Sequence, residues 1–210
     1  RSDRYGDFLD LSAAVTGRVP FGGLHHDAAR KAVLVLDFSN IDSKMFSEDA
    51  AWAALGVLLG NKAGTRVAAM VGLPGDLADG GVTEDRLKGM GATSASAGGV
   101  GLFHVVGITP EAPTLAAIVG PGAEHVVMTA QDVREARDQL STTTSDKLDA
   151  ISLGTPHFSV DEFRALAEAI GDGPKFAEQI DFYISTSRDV LARSKDLGYL
   201  EVFTNAGGRV

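Results

Sequence analysis

Three stretches of this chain hold side chains whose types and spacing suit acid–base chemistry on a small anion. The most compact is Thr155-Pro156-His157-Phe158-Ser159, two hydroxyls and an imidazole within five residues. Imidazole takes up and releases protons near neutral pH, and a hydroxyl can bind an anion or pass a proton. The stretch follows the apolar run Leu148–Leu153 and a break at Gly154. After it, Phe163, Leu166, Ala167 and Ile170 recur at helical spacing, and Gly171 can close the helix. Ser159 with Glu162 three residues later is a capping box, which marks a helix start. Thr155 and His157 are therefore predicted on a loop between the C-terminal end of a strand and a helix N-terminus. Open α/β sheets bind ligands at that edge, and the free N–H groups of the helix attract anions. An ordinary joint with a surface histidine is the alternative reading of the same pattern.

The second stretch is Arg1–Asp7, where Arg1, Ser2, Asp3, Arg4, Tyr5 and Asp7 gather two guanidiniums, two carboxylates, a hydroxyl and a phenol. Guanidinium grips a carboxylate in a two-pronged way. The alternative is a solvated terminus with surface ion pairs worth about 0–1 kcal/mol each. The third stretch is Phe103–Thr114. His104 falls inside an apolar run, where a buried histidine with one backbone partner is the default. Glu111 stands between Pro110 and Pro113 on a stiff loop, placed to orient a base or bind a cation, or to serve as a plain turn residue. His25 and His26 are adjacent, so they point different ways, and they are read as loop residues.

These stretches need a scaffold, and the rest of the chain alternates between two periods. Strands are predicted over Ala32–Phe38, Arg66–Leu73, Gly98–Gly107, His125–Thr129, Leu148–Leu153, Phe182–Thr186 and Leu200–Phe203. Helices are predicted over Ser47–Leu59, Thr83 towards Thr93, Thr114–Val119, Ala130–Leu140, the segment after Ser159, and Ser187–Leu197. Near-continuous apolar strands alternating with helices predict an α/β fold with a mainly parallel sheet and helices on both faces. The chain divides into a polar site segment and loop over 1–30 and an α/β core over 31–210. The Gly171–Lys175 loop is a candidate minor boundary.

With 210 residues and 44% apolar content the chain can bury a real core. A formal charge of −9 argues against a surface that tracks nucleic-acid phosphates. The absence of cysteine rules out disulfides and Cys-ligated metal centres within this chain. Ala50–Leu59, the most apolar run, is far short of the ~18 residues of a membrane span, and no secretory signal is visible, so a cytoplasmic place is expected. No P-loop or dinucleotide-type glycine pattern occurs, which disfavours a nucleotide-dependent oxidoreductase. The polar start at Arg1 and the close Phe203–Val210, which reads as a strand, a turn and the start of another strand, read as ends of a piece of something longer.

Four blocks resemble, in order, the aconitase X family, hydro-lyases distantly related to aconitase. They are RYGDFLD…TGRVP from Arg4, Gly72-Leu73-Pro74, FHVVGITPEAPT from Phe103, and LGTPHFS from Leu153. Arg1-Ser2 resembles the tail of the family's G-A-R-(S/T) element. The resemblance implies an aconitase-like fold and dehydration of a small hydroxy acid, with cis-3-hydroxy-L-proline as the nearer substrate and mevalonate 5-phosphate as the second. It implies that Arg1 and Arg4 hold the substrate carboxylate, with Asp7, His104, Glu111, Thr155 and Ser159 also binding substrate. His157 would be the acid, and Ser2 the base by analogy with aconitase. A small subunit or the remainder of the same protein would complete the enzyme. The family usually carries an iron–sulfur cluster on cysteines. The implied ligand positions lie near Ser12, near Thr155 and just past Val210, and this chain has no cysteine at the first two. The competing expectation is a non-catalytic binding or regulatory domain that keeps the scaffold. The catalytic reading further predicts that strands 99–106 and 148–153 share one sheet and that the first and second polar clusters face one cleft.

Overall fold

The computed structural model describes residue 3 and residues 7–75, 81–155 and 157–210, without the Asp7 side chain. The roles assigned to Arg1, Ser2, Arg4 and the Asp7 side chain therefore lie outside the described residues. The chain forms two compact units, Arg1–Ser141 and Thr142–Val210. The break falls in the polar run Ser141–Asp146, where no apolar residue ties the backbone to either core. It differs from the division at residue 30 expected from sequence.

Unit 1 is built on four parallel strands, β1 (Ala32–Asp37), β2 (Ala68–Val71), β3 (Phe103–Val105) and β4 (Val119–Val127), in the order β3-β2-β1-β4. Helices α2 (Asp49–Ala63), α3 (Glu84–Gly98) and α5 (Ala130–Asp138) pack on the face that carries Leu34, Leu36, Ala68, Met70 and Val105. Helix α2 lies against both α3 and α5 as well as the sheet, so it is apolar around its circumference, with Trp52, Leu55, Leu58 and Leu59 buried. The opposite face, with Val35 and Ala69, is covered by Leu24, Ala112 and the one-turn α4 (Leu115–Ile118). Helix α1 (Asp7–Thr16) precedes the sheet and leaves Phe8, Leu11 and Val15 exposed along one side.

The crossing of α2 and α3 depends on missing side chains. A Cβ on Gly98 would land on the Gly60 carbonyl oxygen, and one on Gly60 would lie 2.7 Å from the Ala97 Cβ. Thr93 Oγ1 donates to the Ala53 carbonyl at 3.0 Å across the same contact. This packing explains a difference from the sequence expectation. The run Gly98–Gly107 is not one strand, because α3 continues through the helix-favouring Ala92–Ala97 to Gly98 and only Phe103–Val105 pairs with β2.

Unit 2 is a βαβ unit, with parallel strands β5 (Ala150–Leu153) and β6 (Asp181–Ile184) and helices α6 (Val160–Ile170), α7 (Arg188–Asp196) and α8 (Tyr199–Asn205). Strands β3 and β5 belong to different sheets, so the expectation of one shared sheet fails. Leu200–Phe203, expected as a strand, is helical. A short apolar run fits either period, and here Tyr199, Leu200 and Phe203 turn into an aromatic core with Phe176 and Phe182. The Phe182 and Phe203 rings meet edge to face at 5.2 Å. Arg209 pairs in parallel with Tyr183 as an isolated bridge.

Candidate active site

In unit 2 the strand–loop–helix joint forms as the sequence predicts. Ser159 Oγ accepts the Glu162 N–H at 3.0 Å, and the Glu162 carboxylate accepts the Ser159 N–H at 2.7 Å. The cap gives the Ser159 hydroxyl the structural role at the start of α6 that the capping-box spacing predicts. Thr155 and His157 are exposed on the loop at the C-terminal end of β5. Phe158 between His157 and Ser159 turns inward, edge to face with Phe163 at 5.1 Å, and so anchors the loop beneath the two polar side chains.

A second joint lies beside the first. The chain leaves β6 through Ser185 and Thr186 and enters α7 with Ser187 Oγ accepting the Val190 N–H at 3.2 Å. Phe158 N–H donates to the Ser185 carbonyl at 3.0 Å, and Thr186 Oγ1 donates to the Phe158 carbonyl at 2.6 Å. A Cβ on Gly154 would strike the Ser185 carbonyl oxygen, so glycine is needed for the loops to close on each other. Two helix N-termini thus open side by side at the C-terminal ends of neighbouring parallel strands. Arg188, the first residue of α7, is exposed and makes no hydrogen bond or ion pair among the described residues. A cation is disfavoured at a helix N-terminus without a partner. The joint itself follows from the predicted strand Phe182–Thr186 and helix Ser187–Leu197, but Thr186 and Arg188 carry no motif that marks them as site residues.

In unit 1, His104 and Glu111 come together, but through a residue that the sequence reading missed. Arg30 is 8% exposed, and its Nε and Nη2 each donate to Glu111 at 2.7 Å while Nη1 donates to the Leu24 carbonyl at 2.8 Å. Glu111 is therefore engaged by an arginine of the same unit, a cation held by the stiff loop between Pro110 and Pro113. His104 is 1% exposed, with Nε2 2.8 Å from the Arg30 carbonyl. A carbonyl only accepts, so Nε2 carries the proton. His104 is thus the buried histidine with a backbone partner expected from its place in an apolar run. Asp3 is tied to the same network, since its Oδ2 accepts the Leu24 N–H at 2.8 Å. His25 Nδ1 lies 2.6 Å from the Pro20 carbonyl, which holds the neighbouring loop.

At the C-terminal end of β1, the Asp37 carboxyl is held below its ordinary range, first by the Ser39 hydroxyl and then by the Ser39 N–H. His125 Nε2 lies 3.6 Å away.

The donor set does not fit an iron–sulfur cluster. Such clusters need thiolates, and the chain has none. The Ser12 hydroxyl is bonded to the Phe8 carbonyl at 2.7 Å on α1, and Thr155 offers only an exposed hydroxyl. Among the described residues no group of three or more His, Asp or Glu could hold a metal ion. No helix among them is long and apolar enough to cross a membrane.

Comparison with known proteins agrees with this division. Residues 32–138 match the aconitase X second domain and residues 148–210 the aconitase X third domain. The chain is 33% identical over 212 residues to a cis-3-hydroxy-L-proline dehydratase of Pseudomonas aeruginosa, covering all of this chain and 35% of that protein. It is 35% identical over 210 residues to a phosphomevalonate dehydratase large subunit of Methanothermobacter thermautotrophicus, covering 48% of that protein. The crystal structure of Thermococcus kodakaraensis aconitase X (holo-form) superposes with a TM-score of 0.82 at 29% identity, over 99% of this chain and 50% of that one. The chain thus spans between about a third and a half of these relatives' length, and it belongs to the aconitase X family.

Proposed function

We propose that the protein of which this chain is part is a hydro-lyase that removes water from a small hydroxy acid, with cis-3-hydroxy-L-proline as the first candidate. The observation that carries this reading is the pair of bonded β–α joints in a chain of the aconitase X family. They present Thr155, His157 and Arg188, which has no partner among the described residues, around two helix N-termini. A carboxylate substrate suits that setting, since it meets a guanidinium, hydroxyls and free N–H groups. Dehydration breaks the bond from Cα to hydrogen, forms a double bond between Cα and Cβ, and releases the hydroxyl. A base receives the proton, and an acid protonates the departing oxygen so that it leaves as water. In this reading His157 protonates the leaving hydroxyl, while Arg188 and Thr155 hold the acid group as charge builds. Ser2 keeps the role of base, and Arg1 and Arg4 that of carboxylate ligands, by resemblance.

The alternative is a domain that binds the anion without turning it over, and the lack of any thiolate favours it. The test is turnover by the full-length protein of cis-3-hydroxy-L-proline and of mevalonate 5-phosphate, each with and without His157→Ala. The expected result is water loss from the proline, with kcat falling at least tenfold in the variant and KM changing less. Binding without turnover of either compound by the full-length protein would replace this reading with the alternative. Preference for mevalonate 5-phosphate would move the substrate and leave the reaction class.

A further inference from the structure

We propose that the apolar side of α1 is a docking face for the first domain of the full-length protein, within one polypeptide. Five of the twelve large apolar residues that stand exposed among the described residues fall between Phe8 and Phe21. Three of them share one side of α1. At 3.6 residues per turn, Phe8, Leu11 and Val15 lie within about 60° of one another around the helix, and they are 85%, 61% and 78% exposed. Leu9 and Ala13, four residues apart on the other side, are the half-buried ones. Asp10, the only charged residue between Phe8 and Thr16, stands about 100° from the nearest of the three. The hydroxyls beside the stripe turn back onto the helix. Ser12 Oγ donates to the Phe8 carbonyl and Thr16 Oγ1 to the Ser12 carbonyl, each at 2.7 Å. A stripe without charge, flanked by hydroxyls already satisfied, loses nothing when water is excluded from it.

Position and size name the occupant. The family's second and third domains match residues 32–138 and 148–210, so α1 lies outside both. The Pseudomonas aeruginosa dehydratase nevertheless aligns with all of this chain, which covers only 35% of that protein. Helix α1 is therefore shared with the relatives and stands on the first-domain side of the second domain. A second copy is the poorer fit. The stripe is about 15 Å long and about 10 Å wide, on the order of 150 Å², whereas a stable contact between separate chains needs about 800 Å² on each partner. A domain in the same polypeptide needs far less, because the linker holds it at an effective concentration of about a millimolar. The inference does not depend on the dehydratase reading.

The test places the photoreactive residue p-benzoylphenylalanine at position 8 of α1, in place of Phe8, in the full-length protein. Irradiation should join it to a peptide outside the 210 residues of this chain, while the denatured mass stays that of one polypeptide. Leu11→Asp should cut that product at least fivefold and leave amide exchange in β1 as in the wild type. Should Leu11→Asp not fold, Leu11→Ser decides by the same product. If no cross-link forms, hydroxyl-radical footprinting of the unlabelled protein decides. Leu11 should then be oxidised at least fivefold more slowly than in a proteolytic digest of the same protein, whereas its 61% exposure alone would slow it by less than about twofold. A doubled mass would assign the face to a second copy, and a mass raised by a separate subunit would assign it to that subunit. Either result overturns the proposal. So would cross-links confined to this chain, a product indifferent to Leu11→Asp, or oxidation of Leu11 slowed less than fivefold.

Discussion

Two glycines of helix α3 should respond to alanine with opposite signs. A Cβ at Gly98 would fall on the backbone of Gly60, where no side-chain rotation can make room. The helices must then move apart, and overpacking of this kind costs about 1–3 kcal/mol. A Cβ at Gly89 meets nothing within 4 Å, so only the helix-propensity gain of about 1 kcal/mol remains. Converted at about 2–4 °C per kcal/mol for a domain of this size, Gly98→Ala should lower the unfolding midpoint by roughly 4–8 °C for a central cost of 2 kcal/mol. Gly89→Ala should raise it by roughly 2–4 °C. Urea unfolding followed by circular dichroism checks the same order at constant m-value. If Gly98→Ala proved neutral or stabilising, the close approach of α2 and α3 would not be a real constraint. If Gly89→Ala destabilised as much as Gly98→Ala, the effect would lie in the helix itself and the crossing argument would fall.

Other outcomes are more local. Ser159→Ala should destabilise by about 1 kcal/mol through loss of the cap at α6, and an unchanged melting curve would remove that role. The Asp132 carboxyl is held below its ordinary value of 3.8, first by the Thr129 hydroxyl, so its contribution is complete above that value and fades as pH falls through the lowered one. Asp132→Asn should accordingly lower the melting temperature at neutral pH and converge with the wild type in acid. A difference that persisted at low pH would contradict the assignment.

What could be read from sequence was local chemistry. The Ser159–Glu162 box and the run of β1 announce themselves within a few residues and form as read. The exposed loop carrying Thr155 and His157 follows from them. The misreadings arose where neighbours in space outweigh neighbours in sequence. Leu200–Phe203 is helical because Phe176 and Phe182 wait on one side of it. Helix α3 reaches Gly98 because Gly60 lets it. Arg30 and Glu111 are 81 residues apart, and nothing near either one names the other. The boundary after Ser141 was hidden because both sides of it carry the same βα rhythm.

A parallel pair of strands standing alone is open to a third chain on either flank. At β6 that flank is already claimed, since Arg209 N–H donates to the Phe182 carbonyl at 2.8 Å and the Ile184 N–H donates to the Arg209 carbonyl at 2.9 Å. The Arg209 guanidinium then lies on Asp181 at 2.8 Å and over the Tyr183 ring. A charged, self-satisfied seam of this kind is a poor template for intermolecular zippering. The vulnerability to aggregation in this unit therefore shifts to β5, whose outer edge has no partner strand among the described residues.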